Sequence, residues 1–242
     1  MYPELFSIGK FTIYTYGVLV AIGFFIGMQY IIKYSGNIIN KQSLYDFLFY
    51  IILIGIIGAR LFYVLLDLPS YLSHPLEIIQ VWKGGLVYYG GFLATLIFAF
   101  FYCKHKNFNI VKLADVFAPA LALGHFFGRI GCFFSGCCYG KNTECFLSIA
   151  HKHPTQLYEA FGNLIIFFVL HKFLRKKHKD GHVFLLYMLM YSELRFFVEL
   201  FRGDDRGSFI FGLSPAQNIS ILIFIIAIVI LLFVKNGDNN EK

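Results

Sequence analysis

Long apolar runs dominate the chain, and short polar or charged connections separate them. A helix needs about 20 apolar residues to cross the hydrocarbon core of a bilayer, and each run is close to that length. The pattern therefore predicts an all-α polytopic membrane protein with about seven transmembrane helices, forming a single domain over residues 1–242. The predicted spans are 12–32, 45–66, 86–103, 113–134, 155–174, 182–201 and 214–234.

The composition supports a bilayer environment. Of the 242 residues, 58% are hydrophobic and 14% are charged, whereas a soluble domain is about a quarter charged. Thirty Phe and sixteen Tyr residues suit lipid-facing surfaces and interfacial aromatic belts. A soluble helical protein is excluded, because so many apolar runs would have no water-facing partner.

Basic residues are distributed unequally between the two predicted sides of the membrane. Twelve Lys and Arg residues lie in connections on one side and six on the other. Because cytoplasmic loops are enriched in Lys and Arg, we expect a cytoplasmic C-terminus and an external N-terminus. Small extracytoplasmic loops would then surround a central cavity. The net charge of +7 is mostly a topology signal, and no nucleic-acid partner is expected because no water-facing domain carries a basic patch.

The stretch 123–140 interrupts the apolar pattern at the outer end of the fourth predicted span. It contains Arg129, five glycines and three cysteines. Charged groups inside membrane segments are rare, face the protein interior and mark functional sites. We therefore expect Arg129 to meet a negative charge.

A second polar pattern lies on the sixth predicted span. Tyr191, Arg195, Glu199 and Arg202 stand at i, i+4, i+8 and i+11, which places them on one helical stripe. Two arginines around one glutamate predict a net positive face.

Further polar groups occur at the outer ends of other spans. Gln156 and Glu159 lie three residues apart on one face of the fifth span, where apolar residues are expected. Arg60 follows small residues that permit close helix packing, and it either joins the packed face or extends to the interface.

The arginines point to an anionic ligand near the outer leaflet. A guanidinium group matches phosphate bidentately, and a phospholipid headgroup is the most available anion at that depth. Two classes follow, an enzyme acting on a lipid phosphate or an anion transporter. The transporter is less favoured because the hydropathy shows no inverted repeat.

Cysteines and histidines are concentrated around the end of the fourth span. The cysteine spacings C-x4-C-C and C-x6-C contain no C-x2-C pair, so we expect no metal and no cofactor here. Packing as small apolar side chains is the favoured interpretation, and a disulfide is the alternative if the exterior is oxidising. The residues are Cys132, Cys137, Cys138, Cys145, His125, His151 and His153.

Taken in order, these motifs resemble the bacterial prolipoprotein diacylglyceryl transferase family over nearly the whole chain. The matching residues are Tyr16-Gly17, Gly58-Ala59-Arg60, Tyr89-Gly90-Gly91, Gly128-Arg129-Ile130-Gly131, Gly136, Gly140, the run from His153 to Glu159, and Tyr191, Arg195, Glu199, Arg202 and Asp204.

The resemblance implies a multi-pass enzyme of the bacterial plasma (inner) membrane whose active site faces the extracytoplasmic leaflet. Such an enzyme transfers the diacylglyceryl group of phosphatidylglycerol to the lipobox cysteine thiol of a preprolipoprotein signal peptide. Glycerol phosphate is released, and this is the first step of lipoprotein maturation.

The resemblance also implies roles for individual residues. Arg129 and Arg195 would hold the phosphate, and Glu199 would orient the arginines. Tyr16 and Tyr191 would contact the headgroup or the leaving group. The other positions carried over are the catalytic Tyr89 and the substrate-binding Arg60, Gly131, Gly140, Gln156, Glu159 and Arg202.

This chain departs from the family pattern at four polar positions. Family members usually carry Asn where Cys132 and Ser135 stand, Glu at Cys137 and His at Tyr89. A phenol with a pKa of about 10 is a poor proton acceptor at neutral pH. A thiolate at Cys137 and an imidazole at His125 or at His153 remain alternative bases. The competing interpretation is a paralogue that uses the phospholipid site for another acceptor, or a non-catalytic lipid-binding protein.

Overall fold

The computed structural model describes residues 2–8, 11–204 and 212–239. Lys10, Arg206 and Lys242, which entered the predicted charge asymmetry, lie outside this part of the chain. The elements in order are strands β1 Glu4–Ile8 and β2 Phe11–Tyr14 and helices α1 Thr15–Tyr34, α2 Lys41–Leu66, α3 Leu68–Ser73, α4 Tyr88–His105, α5 Ile110–Ser135, α6 Thr155–Leu174, α7 His182–Leu200 and α8 Pro215–Asn239, with 3-10 turns at Pro75–Ile79 and Val81–Lys83.

A long helix occupies each of the seven predicted segments, so the prediction of a helical polytopic membrane protein is confirmed at this level. Within the described residues, α1, α2, α5, α6 and α8 are long and apolar enough to cross a bilayer. The other two long helices, α4 and α7, are not in this set. Helix α4 begins with a Tyr-Tyr-Gly-Gly sequence, and α7 carries three charged side chains. The number of seven spans and the orientation therefore remain predictions.

The helix predicted from residue 12 is wrong at its start, because a β-hairpin precedes α1. Strands β1 and β2 pair antiparallel, with Ser7 opposite Thr12. Thr15, the first residue of α1, closes the hairpin: its amide donates to Pro3 O at 3.0 Å and its hydroxyl to Tyr2 O at 2.7 Å. The β-branched and aromatic residues of β2 fit a strand better than a helix end.

The chain forms two compact units, one of Met1–Lys33 with Ala114–Lys242 and one of Tyr34–Leu113. In the second unit, α2 and α4 pack through small residues. A Cβ at Gly91 would lie 2.7 Å from Gly55 O, and one at Gly58 would lie 2.9 Å from Gly90 O. The absent side chains therefore allow the two backbones to approach closely.

The first unit has an apolar core between α5, α6 and α7, made of small and branched side chains. The N-terminus of α7 is fixed to this core by Asp115, whose carboxylate accepts from the amides of Gly181 at 2.6 Å and Phe184 at 2.8 Å. The core residues are Ala118, Ala122, Ile166, Leu170, Val183 and Tyr187.

Helix α5 ends in a Schellman motif. Gly136 has φ +73, its amide donates to Phe133 O at 3.2 Å, and the amide of Cys137 donates to Cys132 O at 3.3 Å. Glycine is favoured at this position because the left-handed conformation strains other residues. The motif turns the chain back, so that Cys137 lies beside the last turn of α5.

Candidate active site

Three helices of the first unit bring their charged side chains together. Arg129 on α5 places Nη2 2.8 Å from Glu159 Oε1 on α6. On α7, Arg195 Nη1 lies 2.6 Å from Glu199 Oε2 and 3.9 Å from Glu159 Oε2. Glu159 is 1% exposed, and a buried carboxylate between two guanidinium groups is stabilised by their charge.

Arg202 also belongs to this cluster, but it does not lie on the predicted helical stripe. Helix α7 ends at Leu200, so the predicted helical stripe stops before Arg202. Arg202 instead forms a β-bridge with Gly140, and its guanidinium binds Asp204 bidentately at 2.8 and 2.9 Å. Its Nε also lies 3.8 Å from Glu199 Oε2.

The predicted net positive face is wrong, because carboxylates balance the arginines. Arg129, Arg195 and Arg202 face Glu159, Glu199 and Asp204 within ion-pair distance. The three guanidinium groups differ in access, since their side chains are 22%, 10% and 3% exposed in that order. Arg129 is therefore the arginine that a ligand reaches most easily.

The segment after α5 is held against α6 by backbone contacts. Gln156 Nε2 donates to Cys137 O, and Thr155 Oγ1 donates to Cys138 O at 2.8 Å. Gln156, predicted to bind substrate, thus contacts the protein backbone through its nitrogen. Its Oε1 is buried and has no hydrogen-bond partner in the described part of the chain.

Gly140 allows three backbone segments to meet. Its amide donates to His153 O at 2.8 Å, and a Cβ there would lie 2.5 Å from Phe201 O and 2.6 Å from His153 Cβ. Any larger residue would separate the loop that follows α5 from the end of α7. Gly140 therefore acts through backbone geometry, and its assignment as a substrate contact stays a prediction.

Three thiols converge beside the arginines. All five cysteines are free, so the alternative of a disulfide is not realised. The Sγ atoms of Cys132, Cys137 and Cys138 lie within 4.8 Å of one another. A hydrogen bond from the Cys132 thiol, assisted by Cys137 and Arg202, holds the pKa of Cys138 well below its ordinary value, although burial opposes this.

Tyr16 reaches the same region from α1. A Cβ at Gly131 would lie 3.0 Å from Tyr16 Cδ2, so the glycine permits the tyrosine ring to lie against the last turns of α5. Tyr191 on α7 packs its ring 4.7 Å from that of His125. The catalytic and substrate-binding roles of these residues remain predictions.

The two histidines considered as bases have aromatic partners. His125 Nδ1 lies 3.4 Å from Tyr187 OH, and His153 Nδ1 lies 3.2 Å from Tyr158 OH. Neither bond singles out one imidazole as the proton acceptor, so both assignments stay predictions.

Arg60 and Tyr89 belong to the second unit. Arg60 donates to four backbone carbonyl groups, with Nε 2.9 Å from Ile78 O and Nη1 2.8 Å from Gly84 O. These contacts support a structural role for Arg60, while substrate binding remains a prediction. Tyr89 is 59% exposed, and its ring contacts that of Tyr88 edge to face at 5.7 Å.

Sequence reasoning missed Ser214 and gave Cys138 no role. Ser214 is the N-cap of α8 in a capping box: its Oγ accepts from Gln217 N at 3.2 Å, and Gln217 Oε1 accepts from Ser214 N at 3.0 Å. The same hydroxyl donates to Glu199 Oε1 at 3.0 Å. The Ser-Pro-x-Gln sequence was a readable helix-start signal, but nothing in it indicated the contact with Glu199.

Comparison with known proteins agrees with the motifs. The sequence profile of the family described as prolipoprotein diacylglyceryl transferase matches residues 3–233. Three relatives are named phosphatidylglycerol–prolipoprotein diacylglyceryl transferase. The one from Clostridium tetani is 35% identical and covers 100% of both chains. Those from Staphylococcus haemolyticus and Finegoldia magna are 34% and 36% identical, covering 96% and 93% of this chain and 87% and 92% of their own. The chain therefore belongs to the prolipoprotein diacylglyceryl transferase family.

Proposed function

We propose that this protein transfers the diacylglyceryl group of phosphatidylglycerol to the cysteine thiol of a lipobox in a preprolipoprotein signal peptide. The observation that carries the proposal is the buried carboxylate of Glu159 between Arg129 and Arg195. It supports a site in which a lipid phosphate takes over part of the charge compensation that the carboxylate supplies.

The phosphate would enter from the Arg129 side, because Arg129 has the most exposed of the three guanidinium groups. Arg195 is held by Glu199 at 2.6 Å, so it needs little reorganisation when the ligand binds. Preorganised guanidinium groups in a site of low dielectric stabilise charge much better than water does. They would act on the negative charge that develops on the departing phosphate.

The reaction breaks one bond and forms another. The acceptor thiolate attacks the glyceryl carbon that carries the phosphate ester, and a C–S bond forms while the C–O bond breaks. The electron pair of the C–O bond stays on the phosphate oxygen, which leaves as glycerol phosphate. The thiol proton is released before or during the attack. The chain thus has to provide phosphate stabilisation and a route to the thiolate.

The membrane arrangement completes the proposal. All seven long helices would cross the bacterial plasma membrane, with the N-terminus outside, the C-terminus in the cytoplasm and the site toward the extracytoplasmic leaflet. The polar groups of α4 and α7 would then face the protein interior. Cysteine-accessibility labelling at Lys177→Cys and Lys141→Cys tests this. Relative to the labelling of the five native cysteines, we expect external reagent to add label at position 141 and none at position 177.

The decisive assay uses purified protein in liposomes with labelled phosphatidylglycerol and a lipobox peptide. We expect label to appear on the Cys peptide and not on a Cys→Ser peptide. Arg129→Ala should lower kcat/KM by about 10²- to 10³-fold, the effect of removing a preorganised donor to an oxyanion. Arg175→Ala, which removes an exposed basic side chain, is the matched control and should behave as wild type.

One result would contradict the transferase function. If the folded protein retains phosphatidylglycerol but transfers nothing to the peptide, the chain is a paralogue with another acceptor or a lipid-binding protein. Loss of lipid retention in Arg129→Ala but not in Arg175→Ala would then still support the phosphate site.

A further inference from the structure

The three-thiol cluster of Cys132, Cys137 and Cys138 has the geometry of a metal site. A tetrahedral Zn²⁺ ion with Zn–S bonds of about 2.3 Å separates its sulfur ligands by about 3.8 Å. The three Sγ atoms already lie within 4.8 Å of one another. A shift of each side chain by a fraction of an ångström would therefore bring all three into bonding distance.

The backbone is shaped to make these thiols converge. Adjacent cysteines normally direct their side chains apart, but Cys138 has φ +63, a conformation that non-glycine residues rarely adopt. The carbonyl groups of Cys137 and Cys138 are fixed by Gln156 and Thr155 from α6. Strained backbone that neighbouring residues hold in place occurs preferentially at functional sites and ligand clamps.

The surroundings match the charge and the access that such an ion requires. Three thiolates and a divalent cation leave one negative charge, which the nearby Arg202 guanidinium can compensate. Cys137 is exposed while Cys132 and Cys138 are partly buried, so an ion can enter from one side. These features outweigh the sequence-based expectation of no metal, which rested only on the missing C-x2-C spacing.

We propose that Cys132, Cys137 and Cys138 bind one Zn²⁺ ion and leave its fourth position open for the acceptor cysteine thiol. Metal sites with three protein ligands and one open position are typical of catalytic zinc, and a thiol that coordinates zinc is deprotonated. The acceptor thiol loses its proton to water on coordination. Its sulfur then attacks the glyceryl carbon, and the C–O electron pair leaves with glycerol phosphate. This proposal rests on the proposed function, and it supplies the proton-removal step that Tyr89 does not.

The metal site is tested without catalysis. Purified protein in detergent is titrated with Zn²⁺ and, for spectroscopy, with Cd²⁺, whose thiolate charge-transfer band reports the number of sulfur ligands. We expect one ion per chain. Cys132→Ser, Cys137→Ser and Cys138→Ser should each weaken binding by at least about 100-fold, more than the loss of an outer-shell partner. Cys145→Ser, which alters a cysteine outside the cluster, is the matched control and should bind as wild type.

The open position is tested by adding a lipobox peptide to the Cd²⁺-loaded protein. A fourth Cd–S bond should raise the charge-transfer intensity by about a third, and a Cys→Ser peptide should leave it unchanged. Equal responses to both peptides would overturn the coordination of the acceptor. Binding of the ion that survives all three Ser substitutions, or a disulfide between two of these cysteines in freshly isolated membranes, would overturn the site itself.

The transfer assay separates this proposal from the proposed function. Removing Zn²⁺ with a chelator should reduce transfer by at least about 100-fold, and stoichiometric Zn²⁺ should restore it. Undiminished transfer in the Cys132→Ser/Cys138→Ser variant would refute the role of the ion while the transferase function stands. Peptide-dependent Cd²⁺ spectra without any transfer would refute the transferase function while the metal site stands.

Discussion

The guanidinium groups of the two units are compensated by different kinds of acceptor. Arg60 in the second unit is 6% exposed and is surrounded by neutral acceptors, namely the carbonyl groups of Glu77, Ile78, Gly84 and Gly85. Its guanidinium also lies over the rings of Tyr63 and Tyr71, at 5.5 and 5.3 Å. Its Nε, Nη1 and Nη2 atoms donate to these backbone carbonyl groups, so Arg60 fixes the segment from Pro75 to Gly85.

Arg129 and Arg195 in the first unit are compensated by charge instead. Glu199 pairs with Arg195, and the oxygens of Glu159 make ion pairs with Arg129 and Arg195 without aligned hydrogen bonds. A phosphate can compete with such a partner because it offers the same charge in a comparable geometry. The carbonyl contacts therefore support a structural role for Arg60, and we propose that the lipid phosphate binds at the carboxylate-bound arginines.

The largest expected effect is on catalysis at the carboxylate-bound site. Arg195→Ala removes one of the two proposed phosphate ligands and should lower kcat by about 10²- to 10³-fold. Arg195→Lys keeps the charge but loses the bidentate geometry, so it should recover only part of the rate. The measurement is transfer of labelled diacylglyceryl to a lipobox peptide at saturating lipid. A kcat within twofold of wild type in Arg195→Ala would remove Arg195 from the mechanism.

The carbonyl-bound site should respond in stability. Arg60→Met keeps the aliphatic stem but leaves four carbonyl groups without their donor, which should lower the free energy of unfolding by about 3 kcal/mol. Thermal unfolding in detergent measures the change, and limited proteolysis should show faster cleavage between residues 75 and 85. An unchanged midpoint would show that water or lipid replaces the guanidinium without penalty. Lys41→Met, at an exposed helix start, is the control.

The sequence predicted the long helices, but it was less informative about the segments that precede and follow them. Apolar length predicted all seven long helices, and 155–174 coincides with α6. It missed the hairpin before Thr15, because Phe11–Tyr14 is as apolar as the helix that follows. Hydropathy measures burial in lipid and does not distinguish a strand from a helix over four residues.

The site could be predicted as a set of residues but not as a network. Helical periodicity grouped Arg195 with Glu199, and their 2.6 Å ion pair confirms that grouping. It could not place Glu159 between Arg129 and Arg195, because that contact depends on how three helices pack. Cys138 was likewise unreadable, since its thiol reaches Cys132 only through a left-handed backbone conformation.

A smaller effect, on stability, is expected at Gly140, where backbone segments of the site lie in close contact. Gly140→Ala places a Cβ 2.5 Å from Phe201 O, and the resulting shift of the bridge to Arg202 should destabilise the protein by about 1–3 kcal/mol. Because Arg202 moves with the bridge, KM for phosphatidylglycerol should rise as well. Gly124→Ala is the matched control, since nothing lies within 4 Å of its Cβ position and alanine favours a helix. Equal thermal midpoints for the two variants would contradict the steric account.

The smallest expected effect concerns the helix cap that supports Glu199. Ser214→Ala removes the hydroxyl that caps α8 and donates to Glu199 at 3.0 Å, so we expect a loss of about 1 kcal/mol of stability. Ser220→Ala is the control, because the Ser220 hydroxyl donates to Ala216 O within its own helix. If the cap acts on the site only through Glu199, Ser214→Ala should also lower the transfer rate. Ser214→Thr, which keeps a hydroxyl, should then restore both the thermal midpoint and the transfer rate. A variant that recovers stability but not rate would show that Glu199 needs the serine hydroxyl itself, and the ion pair with Arg195 would then depend on α8 as well as on α7.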